Sequence, residues 1–175
     1  MRSPRSLALI CFSTFIVAGC ATAQSLTPPE APSALQPPAD QSLYVEALAT
    51  GVQIYECSQK TDTTYEWTFK APEASLVSRS GQALGKHYAG PTWESTDGST
   101  VVGELKAKDP GPTASAIPWL LLTAKTHTGS GTFAAAKSVQ RLVTVGGLSP
   151  SAPCTGSTLG QVARIPYSAT YYFYR

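Results

Sequence analysis

His87 and Glu94 stand on either side of Gly90-Pro91, with Tyr88 and Trp93 between them. If Ala89 to Thr92 form a four-residue hairpin loop, Tyr88 faces Trp93 and His87 faces Glu94 across the strands. Directly opposed residues hold their Cβ atoms about 4.5–5.5 Å apart, so a hydrogen bond is within reach. A carboxylate there would raise the imidazole pKa and orient the ring, as in a general base or half of a metal site. A structural pair beside an aromatic cross-strand contact accounts for the same residues without any chemistry. Tyr88, Trp93 and Asp97 are candidate ligand-binding groups, since rigid aromatics beside polar side chains give contact area at low entropic cost.

No third group completes the pair. There is no G-x-S-x-G elbow, no phosphate-cradling G-x-x-x-x-G-K-[ST], and no G-x-G-x-x-G after a strand. The acids Glu94, Asp97, Glu104 and Asp109 read as hairpin surface rather than as a glycosidase pair. His87 and His127 are the only histidines, and no C-x-x-C occurs, so neither a metal nor another cofactor is expected. A non-enzymatic binding or structural module is favoured. The alternative is a small secreted enzyme with His87 and Glu94 at its site.

The N-terminus assigns an address. Arg2 and Arg5 form a positive head, Leu7 to Ala18 form an apolar run too short to cross a bilayer, and Val17-Ala18-Gly19 leads to Cys20. That order reads as a lipoprotein signal at 1–19, with Cys20 acylated as the new N-terminus and anchoring the chain in a membrane. With Ala21 in place of an aspartate after the cysteine, the expected home is the outer membrane of a bacterial envelope, facing the periplasm. Ala21-Thr22-Ala23 offers an alternative cut, giving a 1–23 secretory signal and a soluble secreted protein. Without Arg2 and Arg5, the thirteen basic residues fall to eleven, against eleven acidic ones. No basic excess remains to neutralise a phosphate backbone, so nucleic acid is not an expected partner; a small ligand or an envelope protein is. Cys57 and Cys154 are left as an even pair in an oxidising compartment, where a disulfide is the default.

The elements that must position these groups are strands. Residues 20–41 hold five prolines among Ala, Ser and Gln and read as a semi-extended tether with no core of its own. A single β domain follows at 42–175. Leu43–Leu48 and Val52–Cys57 read as two runs joined through Ala49-Thr50-Gly51, and Thr64–Lys70 alternates aromatic and polar residues. Asp97-Gly98 is a tight turn between Thr92–Ser95 and Thr100–Lys106. Ile117–Thr126 is apolar enough for a strand buried on both faces, and Ser138–Val145 and Ala163–Tyr174 supply two more. In the last, Tyr171 and Phe173 share one side and Tyr172 and Tyr174 the other, so one side is core and the other exposed or lining a groove. Only Phe133–Lys137 has helix propensity. The expected fold is all-β: one antiparallel sandwich or barrel of about eight to ten short strands.

The run Gly85-Lys86-His87-Tyr88-Ala89-Gly90-Pro91-Thr92-Trp93-Glu94, with Asp97-Gly98-Ser99 and Val102-Gly103, resembles the exported family known as domain of unknown function 3455. Ile117-Pro118-Trp119-Leu120-Leu121-Leu122, Val139-Gln140-Arg141, Thr144-Val145-Gly146-Gly147, Cys154, Pro166-Tyr167 and Tyr171-Tyr172-Phe173-Tyr174 extend the resemblance over roughly 40–175. It implies an exported domain and carries no activity, cofactor or catalytic residue.

Overall fold

A computed structural model describes residues 26–175; the signal segment and Cys20 lie outside the described residues. Eight antiparallel strands follow one another round a closed barrel in chain order: β1 Leu43–Thr61, β2 Thr64–Val77, β3 Ala83–Tyr88, β4 Thr92–Ser95, β5 Thr100–Asp109, β6 Trp119–Thr128, β7 Ser138–Gly146 and β8 Val162–Tyr174. β8 pairs with β7 on one side and β1 on the other, which leaves the sheet without a free edge. The all-β expectation holds, with barrel rather than sandwich as its form.

Ala49-Thr50-Gly51 is no joint. β1 runs straight through it, because a Cβ on Gly51 would lie 2.0 Å from the Glu73 carbonyl oxygen of β2. Glycine here permits a close approach of backbones rather than a turn.

Alternation sorts the side chains. Trp93, Val101, Leu122, Phe133, Tyr171 and Phe173 belong to the main core inside the barrel. Phe133 comes from the 3₁₀ turn Thr132–Ala135, where the sequence shows its one helical stretch, and stacks on Phe173 with centroids 4.4 Å apart. It closes the pole at which β1 begins and β8 ends. Asp97 holds that plug in place: its carboxylate accepts from the Ser99 amide and the Thr132 amide, each at 2.8 Å. The Ser99 hydroxyl donates to the same carboxylate, and these hydrogen bonds, the hydroxyl's foremost, hold the Asp97 carboxyl far below its usual range.

The Pro-rich stretch contributes more than a spacer. Leu35, in the 3₁₀ turn Ser33–Leu35, is fully buried in a second cluster on the outer wall with Leu121, Leu142, Tyr172 and Tyr174. The Gln140 amide donates to the Leu35 carbonyl at 2.6 Å, and the Tyr174 hydroxyl donates to Gln140 Oε1 at 2.7 Å. Both sides of the aromatic terminus are therefore core, correcting the expectation of one open side. The same cover buries Leu121 outside while Leu122 is buried inside, whereas beyond Leu122 β6 is largely exposed. The apolar run is thus buried on both faces only where Leu35 reaches it.

At the opposite pole Cys57 and Cys154 form a disulfide with Cα atoms 5.4 Å apart. It ties the loop between β7 and β8 to β1, and the Trp67 indole ties the same loop to β2, donating to the Ala152 carbonyl at 2.8 Å. The loop's start packs over the β1–β8 side, where the Tyr55 hydroxyl donates to the Gly147 carbonyl at 2.7 Å. The rest of this pole stays open.

Candidate functional site

The hairpin carrying the sequence candidates closes one residue tighter than expected. Tyr88 pairs with Thr92, so the loop is Ala89-Gly90-Pro91; Gly90 takes φ 114° and the Thr92 hydroxyl donates to the Ala89 carbonyl at 2.8 Å. His87 therefore opposes Trp93, and Glu94 opposes Lys86. This corrects the His87–Glu94 pair: a register shift of one residue moves a side chain to the other face of the sheet.

The five candidates part company. On the outer face Glu94 accepts from the Tyr88 hydroxyl at 2.8 Å and pairs with Lys86 at 3.2 Å. The Tyr88 hydrogen bond, then Lys86, lowers the Glu94 pKa. Inside, His87 is 3 % exposed and stacks on Trp93 with centroids 4.5 Å apart and planes 10° from parallel. Tyr171 meets both rings edge-on, at 5.0 and 5.4 Å. Asp97 is spent on the plug at the closed pole and does not join them.

Burial drives the His87 pKa down to about 3, aided by the nearby Arg141 charge and opposed by a hydrogen bond to Thr92. The ring is neutral at pH 7, and its tautomer follows from one contact. Nδ1 lies 2.8 Å from the Thr92 carbonyl, which can only accept, so Nδ1 carries the proton. Nε2 is then a bare acceptor, with no hydrogen-bond partner among the described residues.

His87, Trp93 and Tyr171 form the floor of a cavity of about 260 Å³ that opens at the disulfide-bearing pole. Phe69 and Leu105 stand at its lip, 49 % and 55 % exposed, although strand parity aims both inward. Leu120, Leu122 and Pro72 add apolar wall, and Lys70 and Arg141 add cationic groups. Lys70 pairs with Glu56 at 3.3 Å. Arg141 donates from Nε and Nη2 to the Pro118 carbonyl, at 3.2 and 2.8 Å, and has no carboxylate partner among the described residues. The buried Trp93 Nε1–H and Gln53 Nε2 lack partners as well. Burial of the Tyr171 hydroxyl, first among its causes, raises its pKa. Among the described residues no group of three His, Cys, Asp or Glu could hold a metal ion.

Sequence reasoning missed Phe69, Leu105 and above all Arg141. A signal for Arg141 was present: it shares strand parity with Val139, which is fully buried inside the barrel. A charged residue on the inward face of a barrel strand is the mark of a polar interior site.

Residues 38–175 match the family model described as "Protein of unknown function (DUF3455)". The chain belongs to the DUF3455 family. Among curated proteins and among solved structures, none matches it. The open cavity, the tight hairpin and Arg141 all lie within the matched DUF3455 span, as does the disulfide.

Proposed function

We propose that this chain is an exported envelope lipoprotein, anchored through Cys20 and facing the periplasm, whose barrel binds a small molecule through its open mouth without transforming it. The observation that carries the binding role is the cavity: an apolar lip of Phe69 and Leu105 above the partnerless acceptor His87 Nε2. Exposed apolar residues that converge on a few unsatisfied polar atoms are the usual make-up of a ligand site. Catalysis gains little support. His87 is far too weak a base at neutral pH, and no carboxylate, hydroxyl of Ser or Thr, or thiol lines the cavity beside it. Glu94, its partner in the enzymatic reading, faces the other side of the wall. The export address rests on the charged head, apolar run and small residues before Cys20, and the disulfide is in keeping with an oxidising compartment.

Titration with the uncharged dye phenylnaphthylamine tests the binding role. Wild-type protein should enhance its fluorescence, and Leu105→Trp, which fills the lip, should abolish that gain with little change in melting temperature. A wild type that leaves the dye dark would refute the cavity as a binding site.

A further inference from the structure

The cavity contains a cation without its counter-ion. Arg141 projects inward from β7, half-buried; it donates to the Pro118 carbonyl and lies within hydrogen-bonding reach of the Tyr171 hydroxyl. A guanidinium carries five N–H donors, and these neutral acceptors leave its charge uncompensated and donors free. No acid lines the cavity, and all six ion pairs among the described residues use other cations. Its charge is felt at His87 and Tyr171, which line the cavity, and at Tyr55 and Tyr167.

Backbone geometry adds a second observation. Two residues beyond Arg141, Val143 sits at φ 50°, a left-handed conformation that a β-branched side chain strongly resists. It lies where β7 slips register against β8 between Leu142 and Val145. A bulge of this kind re-aims neighbouring side chains, and strain of this kind persists where the surrounding structure enforces it. Here the neighbour is Arg141.

We infer that the ligand of this cavity is a small organic carboxylate, its anionic head held by Arg141 and its apolar or aromatic body lying between Phe69, Leu105 and Leu120. The inference rests on the binding role proposed above and gives it a chemical class. A planar carboxylate matches the guanidinium fork, and such charge-assisted pairs are the strong ones inside a low-dielectric site. The cavity of about 260 Å³ suits a compact body, at the lower end of the roughly 300–1,000 Å³ that ligand sites span.

Hydrocinnamate, hydrocinnamamide and hydrocinnamyl alcohol share one aromatic body and differ in the head group. Titrated into the wild-type domain and followed by amide chemical shifts and tryptophan fluorescence, hydrocinnamate should bind at least about tenfold more tightly than either neutral analogue. Arg141→Met should erase that preference, and Arg141→Lys should retain part of it. Equal affinity for all three in wild-type protein overturns the carboxylate assignment, as does failure of all three while phenylnaphthylamine still enters; the binding role survives both results. Failure of the dye as well removes the binding role itself. The wild-type comparison decides even if Arg141→Met does not fold.

Discussion

His87 lies flat against Trp93, ring centroids 4.5 Å apart, and this stack keeps a titratable group in a nearly dry site. The native ring has a pKa of about 3, against an ordinary 6.5 in the unfolded chain. Between those values the unfolded state binds the extra proton, so stability is fully present above pH 6.5 and declines as the pH falls toward 3. From pH 7 to pH 5 the wild type should lose about 2 kcal/mol by urea denaturation. His87→Gln, which does not titrate, should show a flatter profile over the same interval. A wild-type midpoint that does not move between those two pH values contradicts the buried neutral histidine.

The Cys57–Cys154 bridge spans 97 positions of sequence. A loop of that length gains about 4–5 kcal/mol in chain-entropy bookkeeping, an upper figure because native strain and residual unfolded structure reduce it. Replacing either cysteine by serine should lower the unfolding midpoint and loosen the 147–161 loop, read as faster amide exchange there. Two alkylated thiols in mass spectra of non-reduced protein would refute the bridge.

Among the described residues of the Pro-rich stretch, Leu35 is the one fully buried on the barrel wall. Leu35→Ala should cost about 2–5 kcal/mol, as leucine truncations in cores do. The Gln140 hydrogen bond survives this change, because its acceptor is the backbone. A loss below half a kcal/mol, on the order of a surface substitution, would mean that the segment only rests on the barrel.

Acylation at Cys20 predicts that wild-type protein partitions with membranes and that Cys20→Ser releases it. Soluble wild-type protein beginning at Gln24 would replace this address with simple secretion.

How far the fold could be read depended on whether the deciding force was local. Alternation in Tyr171-Tyr172-Phe173-Tyr174 and the Asp97-Gly98 turn are local, and both appear where the sequence puts them. The hairpin register was not legible, because Ala89-Gly90-Pro91 suits a three-residue or a four-residue loop and one residue decides which face His87 sees. Gly51 looked like punctuation because its reason, the Glu73 backbone, lies on another strand. Leu35 was hidden in the same way: nothing near it in sequence is apolar enough to announce a core, and its partners are on β6, β7 and β8. The cavity itself is assembled from seven strands, β2 to β8, and the hairpin loop, so no window of sequence contains it.

The Ser42 and Arg175 backbones pair with each other at 3.0 and 3.1 Å, at the pole that Phe133 plugs. The cavity mouth is at the other pole, beside Gly90 and Pro91. The domain is thus shaped like a thimble held by its closed tip. A bead, a fluorophore or a second protein joined next to either residue would leave the opening clear, so immobilised copies could be screened for ligands without any surface standing in the way.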